Sequence, residues 1–354
     1  MRKTSATLNG SVIHLEFQSE ILKDNALGDP SLRQFPVYLP PSYNSRNKRR
    51  YPVLFDLAGF TGAGPGRVGW KNFEMSIPER LDRLMSKSNM PHCIVVFPDC
   101  FTSYGGNQYI NSGAVGNYAD YLTKELIPFV DASFRTKPDR VHRGCYGKSS
   151  GGYGALIHGM RYSKFWGGIA AHSPDCYFEL LYQTEWPAVL THLQRWKTKP
   201  PTRAQNSPGG DDGRIARFLE YAFKTQRPSS MDITTLMMLC MTASYDPNHE
   251  TKLGYTLPYD LNTGEVLPKR WQAWRKHDPL NMITKAAPKM RTLRAIFLDC
   301  GWLDQYHLHF GTRQLSAKMR QLNIVHKYQE FEGTHSGIDY RLDESLPYLA
   351  RKLS

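Results

Sequence analysis

The sequence predicts an α/β protein with a mostly parallel central sheet and helices on both faces. In the first half of the chain, short apolar runs typical of buried strands alternate with stretches whose apolar residues recur at helical spacing. The same alternation resumes near residue 283, after a long interruption. Strands that alternate with helices form parallel sheets through right-handed crossovers, so both parts of the chain are expected to share one sheet.

The first strands differ in their patterning. Residues 11–17 and 34–39 alternate apolar and polar side chains, and the second run ends at two prolines, which predicts a pair of antiparallel edge strands. Residues 52–57 and 93–97 are nearly continuous apolar runs, which are typical of strands covered on both faces.

The remaining core elements follow in order. Ser76, with Glu79 three residues later, is a capping-box pattern and predicts the start of a helix. After residue 117, aromatic and aliphatic residues form one stripe of a second helix. The later elements are predicted as a strand and helix within residues 141–156, a strand over 167–171, a strand over 294–299, a helix over 307–322, a strand over 324–331 and a final helix from about residue 338.

Residues 176–282 break this alternation. The segment is helical and irregular by turns, contains four tryptophans, and includes a stretch rich in Pro and Gly over 198–213 that is typical of a mobile loop. We therefore predict a core made of residues 1–175 and 283–354. Residues 176–282 are predicted to form an insertion over one edge of the sheet, which resembles a lid.

Length and composition indicate a globular protein with a large core. The chain has 354 residues, of which 40% are hydrophobic and 12% aromatic. The sequence contains no apolar run long enough to cross a bilayer, and its N-terminus lacks the apolar segment of a secretory signal. These features predict a cytoplasmic protein, or a processed chain that has lost its signal.

The chain is strongly basic. Lys and Arg number 45 against 32 Asp and Glu, which gives a formal net charge of +13. Such a surface can attract nucleic acid, anionic lipid or acidic substrates. The densest cluster, Arg46, Lys48, Arg49 and Arg50, lies between turn residues and a strand, which is typical of a solvated loop. Because no nucleic-acid motif accompanies it, no nucleic-acid partner is expected.

The six cysteines are widely scattered. None belongs to a C-x-x-C pair, so no zinc site is predicted. Several lie in apolar runs, where cysteine behaves as a small hydrophobe. We predict reduced structural thiols, no metal and no cofactor, and a homo-oligomer remains compatible with the sequence.

Gly147, Lys148, Ser149, Ser150 and Gly151 form a G-x-S-x-G sequence between a predicted strand and a predicted helix. A serine in a sharp strand-to-helix turn needs glycines on either side, because side chains there would meet the neighbouring elements. The pattern is also compatible with a plain Gly/Ser turn. A phosphate-binding loop is disfavoured, because such a loop needs a glycine five residues before Gly147 and the chain has a histidine there.

A serine nucleophile requires a base and an acid. Three polar residues follow the carboxyl ends of predicted strands, namely Ser149, Asp304 and His335, and their chain order is the one that α/β-hydrolases use. His335 would take the proton of Ser149, and Asp304 would orient the imidazole. Polar surface loops would give the same residue types, so this alternative stays open.

Other residues compete for two of these roles. Asp299 is the second candidate for the acid, but it lies at the end of the strand itself, whereas a catalytic acid usually lies in the loop beyond. His172 and His307 are weaker candidates for the base, because neither follows the last strand.

Acyl transfer also requires donors for the oxyanion. The backbone N–H of Ser150 at a helix N-terminus is one expected donor, and the N–H of Phe60, in the loop after the first buried strand, is the other. Trp70, Tyr104 and Tyr109 lie in loops on the same side of the predicted sheet and are candidates for the acyl pocket. Aromatic residues in such loops also pack against the scaffold.

Several separated motifs together resemble the "putative esterase" family of α/β-hydrolases, which includes S-formylglutathione hydrolases (esterase D), feruloyl and acetyl xylan esterases, enterochelin esterases and mycolyltransferases. The resemblance covers most of residues 11–174 and 290–350. It implies an α/β-hydrolase fold, a triad of Ser149, His335 and Asp304, oxyanion donors at Phe60 and Ser150, and hydrolysis of a small-molecule ester without a cofactor. The motifs are FPVYLPPSY, YPVLFDLAGF, VVFPDC, GKSSGGYGAL, DCGWLDQY and FEGTHSG.

The chain departs from the family pattern in two places. Esterase D members carry cysteines in the loop after the first core strand, where this chain has Ala58 to Gly62, and residues 176–282 are longer than in that subgroup. The substrate is therefore left open. Two other functions remain alternatives: an acyltransferase that passes the acyl group to a sugar or lipid hydroxyl, and a non-catalytic binding protein on the same fold.

Overall fold

An eight-stranded sheet runs through the centre of the molecule. The computed structural model describes residues 7–44, 46, 48–198 and 208–354. The strand order is β1-β2-β4-β3-β7-β8-β9-β10, and two further short strands pair with each other outside this sheet. The strands are β1 (Ser11–Gln18), β2 (Leu32–Leu39), β3 (Val53–Leu57), β4 (Ile94–Val96), β5 (Asn111–Ser112), β6 (Gly116–Asn117), β7 (Arg143–Ser149), β8 (Gly168–Pro174), β9 (Ala295–Gly301) and β10 (Lys327–Phe331).

The predicted mixture of strand directions is confirmed. β1 and β2 are antiparallel, with Ser11 opposite Leu39. β2 also pairs antiparallel with β4, so that β1 alone lies at this edge of the sheet. The strands from β4 to β10 are parallel in the order given.

Helices cover both faces of the sheet. On one face, α2 and α13 pack on alternate side chains of the central strands, among them Leu54 and Phe297. On the other face, α5 packs on β7 and β8, and α11 packs on α5. The helices are α1 (Gly64–Arg67), α2 (Ile77–Ser86), α3 (Tyr118–Asp120), α4 (Ile127–Ser133), α5 (Ser150–Arg161), α6 (Phe178–Leu181), α7 (Trp186–Leu193), α8 (Arg214–Lys224), α9 (Ser230–Tyr245), α10 (Pro268–Arg275), α11 (Pro279–Met290), α12 (Leu308–Gln321) and α13 (Leu342–Leu353).

The helix predicted after residue 117 is interrupted. A π-helical segment, Tyr121–Leu126, separates α3 from α4. Pro128, which follows this segment, has no N–H to donate to the preceding turn. One regular helix is therefore replaced by three short segments that together bury the predicted apolar stripe.

Helices α6 to α10 lie within the segment predicted as an insertion, and the core architecture resumes with α11. Buried residues of this segment, such as Trp186 and Trp274, belong to the same apolar cluster as one face of the sheet. The division of the chain into a core of residues 1–175 and 283–354 and an insertion of residues 176–282 stays a prediction. Of the stretch predicted to be mobile, residues 199–207 lie outside the described residues.

All six cysteines lie in the described ranges, and each is a buried thiol without a disulfide. No helix in the described part of the chain is long and apolar enough to span a membrane.

Candidate active site

The turn after β7 has the geometry of a nucleophile elbow. Ser149 ends the strand with φ 58° and ψ −126°, and Ser150 begins α5. A Cβ atom on Gly147 or Gly151 would lie 2.3 Å or 1.9 Å from the carbonyl oxygen of Leu57 in the neighbouring strand β3. The two glycines are therefore required by the close approach of β3, and they let the chain turn sharply enough to present Ser149.

Asp304 and His335 form a hydrogen-bonded pair. The distance from His335 Nδ1 to Asp304 Oδ2 is 2.8 Å, and both side chains are buried. Asp304 Oδ1 accepts a hydrogen bond of 2.9 Å from the N–H of Tyr306. Burial by itself would raise the pKa of Asp304, but the hydrogen bond and charge of His335 and the Tyr306 N–H bring that pKa below its usual value. The acid is thus held as a carboxylate beside the imidazole.

Ser149 and His335 line one cavity of about 370 Å³, together with Phe60 and Ser150. In this structure the Ser149 hydroxyl makes a long hydrogen bond of 3.5 Å to Oδ1 of Asp175. Hydrogen bonds between a nucleophile and its base are often long or unformed until substrate binds. The structure therefore brings the predicted nucleophile, base and acid, and both predicted oxyanion donors, to one site.

The competing acid and base candidates lie in a separate buried network. Asp299 Oδ1 is 2.6 Å from His172 Nδ1, and Asp299 Oδ2 accepts a hydrogen bond of 2.9 Å from Arg341 Nε. His172 Nε2 lies 2.9 Å from the Ser345 hydroxyl. His307 is an exposed residue that precedes α12 with φ 61°. The geometry thus pairs Asp304, rather than Asp299, with the histidine of the cavity.

The three aromatic residues predicted for the acyl pocket occupy different places. Trp70 is about half exposed, at 47%, and does not contribute to the 370 Å³ cavity. Tyr109 is buried, does not line this cavity, and donates a hydrogen bond of 2.6 Å to the Ala58 carbonyl. Tyr104 lines a neighbouring, more apolar cavity of about 590 Å³ that shares Phe60 with the first.

Several residues that line the cavity were not predicted from the sequence as site residues. Leu181 and Tyr182 contribute to the wall near Asp175, and α9 contributes three more residues. Asp175 directly follows β8, so the rule that selected the other polar residues at strand ends applies to it as well. The helical residues carry no comparable signal, because their position depends on how the insertion packs. The residues from α9 are Ile233, Thr234 and Met237.

Two side chains hold the loop that carries His335. Lys148 Nζ donates a hydrogen bond of 3.1 Å to the His335 carbonyl, and Gln305 Oε1 accepts one of 3.0 Å from the His335 N–H. Burial lowers the pKa of Lys148. The lysine of the G-x-S-x-G sequence thus has a structural contact to the histidine loop.

The described residues contain no group of three or more His, Cys, Asp or Glu side chains arranged to hold a metal ion. The polar groups at the cavity are a hydroxyl on a sharp turn, an imidazole hydrogen-bonded to a buried carboxylate, and the N-terminus of a helix, an arrangement that can support acyl transfer.

The mostly parallel sheet with helices on both faces is an α/β-hydrolase fold. Solved structures share the fold over the whole chain. A ferulic acid esterase superposes with a TM-score of 0.60 at 19% identity, covering 98% of this chain and 100% of that chain. An S-formylglutathione hydrolase from Agrobacterium tumefaciens superposes with a TM-score of 0.55 at 17% identity, covering 100% and 99%.

The chain belongs to the family described as "Putative esterase", which matches residues 30–343. S-formylglutathione hydrolase from Mus musculus is 26% identical over 151 residues, which are 40% of this chain and 52% of that protein. The chain thus spans about half the length of this relative. The predicted fold and the predicted family are both confirmed.

Proposed function

We propose that the protein is a serine esterase that needs no cofactor and hydrolyses small-molecule carboxylic esters. The observation that carries this proposal is the buried Asp304–His335 pair, with 2.8 Å between Nδ1 and Oδ2, on the same cavity as a serine held at φ 58°. Membership in an esterase family supports it.

In the proposed first step, Ser149 Oγ attacks the ester carbonyl carbon, and its proton passes to Nε2 of His335. Asp304 holds the proton on Nδ1 and stabilises the imidazolium that forms. The carbonyl oxygen becomes negatively charged and accepts hydrogen bonds from the N–H groups of Ser150 and Phe60. The Ser150 N–H lies at the N-terminus of α5.

The tetrahedral intermediate then collapses. The bond to the leaving alcohol breaks, and His335 returns the proton to the alcohol oxygen. A water molecule next attacks the acyl-enzyme with His335 again as base, which releases the carboxylic acid and restores Ser149. If an acceptor alcohol replaced this water, the same steps would transfer the acyl group instead.

The test is labelling by a fluorophosphonate probe together with turnover of short-chain p-nitrophenyl esters. Ser149→Ala should abolish labelling and lower kcat by at least about 10³-fold, because the acyl-enzyme cannot form. Ser86→Ala, at an exposed serine that ends α2, is the matched control and should behave as wild type. Equal rates for wild type and Ser149→Ala would contradict the proposal, and new ester formed on addition of an alcohol would indicate acyl transfer.

A further inference from the structure

A second carboxyl group lies beside the proposed nucleophile and has no part in the proposed triad. Asp175 directly follows β8, is 4% exposed and forms part of the wall of the 370 Å³ cavity. Its Oδ2 atom accepts hydrogen bonds from Tyr182 Oη at 2.9 Å, Ser150 Oγ at 3.3 Å and Gln108 Nε2 at 3.5 Å. This oxygen is well supplied with donors from the protein.

The other oxygen, Oδ1, has a different environment. Among the described residues its donor is the Ser149 hydroxyl, at 3.5 Å. In the proposed reaction that hydroxyl gives its proton to His335, and Oγ is an ester oxygen throughout the lifetime of the acyl-enzyme. Oδ1 would then have no donor among the described residues, and its remaining hydrogen bond would have to come from the cavity, because an unpaired charged acceptor is costly.

The electrostatics of Asp175 agree with a shortage of donors. Burial raises its pKa above the usual value, although Tyr182, the charge of His335, Ser150 and Gln108 all act in the opposite direction. A further hydrogen-bond donor or a positive charge at Oδ1 would stabilise the carboxylate. A substrate bound in the cavity can supply such a donor or charge, because Asp175 lines the cavity.

We infer that Asp175 is a specificity-determining residue, whose Oδ1 accepts a hydrogen bond from a hydroxyl or ammonium group that the substrate carries close to the scissile carbonyl. The inference rests on the proposed esterase function. Because Oδ1 lies 3.5 Å from the atom that bonds to the carbonyl carbon, a donor one or two carbons from that carbon is within reach. The substrate class is therefore esters with a neighbouring hydroxyl or amino group.

A donor on either side of the ester satisfies this geometry, so the experiment has an acyl arm and an alcohol arm. The acyl arm compares p-nitrophenyl lactate with p-nitrophenyl isobutyrate, and p-nitrophenyl 3-hydroxybutyrate with p-nitrophenyl 3-methylbutyrate. In each pair a hydroxyl replaces a methyl group of similar size. The alcohol arm compares 2-hydroxyethyl butyrate with propyl butyrate through the acid released.

Asp175→Asn is the variant that tests the role of Oδ1. Three donors surround the position of Oδ2, so the amide oxygen of the asparagine should lie there and its NH2 group should occupy the position of Oδ1. The group that faces Ser149 would change from acceptor to donor with little change in volume. Glu179→Gln, at an acid paired with Arg275 outside the cavity, is the matched control.

The measured quantity is the ratio of kcat/KM for the hydroxyl ester to kcat/KM for its methyl partner. We expect this ratio to be at least about tenfold in wild type and Glu179→Gln in one of the arms, and to fall at least about tenfold in Asp175→Asn. The arm that responds identifies the side of the ester that carries the donor.

Two results would overturn the inference. The first is a wild-type ratio below about tenfold in both arms. The second is an unchanged ratio in Asp175→Asn, whether neither rate changes or both fall equally, as expected if Asp175 merely restrains Ser149. These results differ from failure of the proposed function, in which wild type would hydrolyse none of the esters, or would do so as fast as Ser149→Ala.

Discussion

Asp299 and Asp304 are close together in the sequence, at and just beyond the end of strand β9, but they have different partners in the structure. Asp304 pairs with His335 at the cavity, whereas Asp299 pairs with His172 and Arg341 in the interior. Asp299 lies on the strand, and Asp304 lies in the loop beyond it, where it can turn back toward the last strand. The sequence favoured Asp304 over Asp299 as the acid for this reason, because a catalytic acid usually lies in the loop beyond a strand.

Substitution of these two aspartates should separate a catalytic defect from a structural one. Asp304→Asn should lower kcat by about 10³- to 10⁴-fold, because the amide cannot hold His335 in the tautomer that accepts a proton from Ser149. The measurement is kcat for a p-nitrophenyl ester, with circular dichroism to verify folding.

The matched variant is Asp299→Asn. It should lower the free energy of unfolding, since it leaves the partly buried Arg341 guanidinium without a carboxylate partner, but folded protein should keep most of its kcat. Comparable losses of kcat in the two variants would contradict the assignment of Asp304.

The residues that the sequence left unidentified at the site have a physical explanation. Asp175 satisfies the same strand-end rule as Asp304, but a G-x-S-x-G site needs one acid, so a second acid had no function to indicate it. Tyr182 approaches the cavity from the segment after α6, and Met237 approaches it from α9. Their positions follow from contacts between distant segments, which periodicity does not encode.

Among the secondary-structure elements, the elbow is the one whose sequence requirements are most direct. Gly151 is the first glycine of α5, and its Cα lies so close to β3 that an added Cβ would be 1.9 Å from the Leu57 carbonyl oxygen and 2.8 Å from that of Ala58. Both neighbouring atoms belong to backbone, which cannot move aside as a flexible side chain can. Local sequence and sheet packing therefore require the same residue at this position.

Gly151→Ala should accordingly displace either α5 or β3. We expect a loss of unfolding free energy of about 3 kcal/mol, since forced overpacking costs about 1–3 kcal/mol when side chains can adjust and more when they cannot. Labelling of Ser149 by a fluorophosphonate should fall in parallel. The measurements are urea denaturation and the rate of labelling.

Gly66→Ala provides the control, because an added Cβ there meets nothing within 4 Å. Gly66 lies in helix α1, and alanine should leave stability unchanged or slightly raised. A stable and reactive Gly151→Ala protein would contradict the packing argument.

Elements with strong local signals were predicted well, and those without such signals were not. The capping box of Ser76 and Glu79 is present, and α2 begins directly after it. Helix α9 is buried on several sides between α7, α8 and α10, so its apolar residues form no single stripe that could reveal its bounds. The helix predicted after residue 117 is interrupted because Pro128 has no N–H to donate to the preceding turn, and the apolar stripe carries no signal of this effect.

At the scale of the whole molecule, a network of charges joins segments that are far apart in the chain. Asp339, just before α13, lies 2.8 Å from Lys71 Nζ and 3.6 Å from Arg67 Nη1, both in the segment that follows β3. Arg67 also binds the fully buried Asp56 of β3 at 3.1 Å. The network thus ties the C-terminal helix to the segment after β3 near the cavity.

The fold class and the antiparallel edge were predictable because they depend on the order and patterning of elements. This network was not, because no sequence pattern links residue 67 or 71 to residue 339. It depends on the packing of α13 against β7, β8 and β9 and beside α2, which brings Asp339 close to Arg67 and Lys71. This charge pairing is therefore a property of the assembled molecule.

Protonation of Asp339 should weaken this network. Burial raises its pKa, but the charges and hydrogen bonds of Arg67, Lys71 and Lys148 bring it down from 3.8 to about 2. Because the native pKa lies below that of the unfolded chain, the carboxylate contributes stability above about pH 4, and this contribution is lost as the pH falls toward 2. The shift corresponds to a free energy on the order of 2 kcal/mol at neutral pH.

Asp339→Asn should therefore be less stable than wild type by on the order of 2 kcal/mol at pH 6, and the difference should shrink between pH 4 and pH 2 as wild type becomes protonated. Urea denaturation at a series of pH values measures both curves. Asp120→Asn removes an exposed pair with Lys124 and should change stability by at most about 0.5 kcal/mol at every pH. If the difference between Asp339→Asn and wild type did not depend on pH, the stabilisation would come from packing or neutral hydrogen bonds, and the charge network would have no part in it.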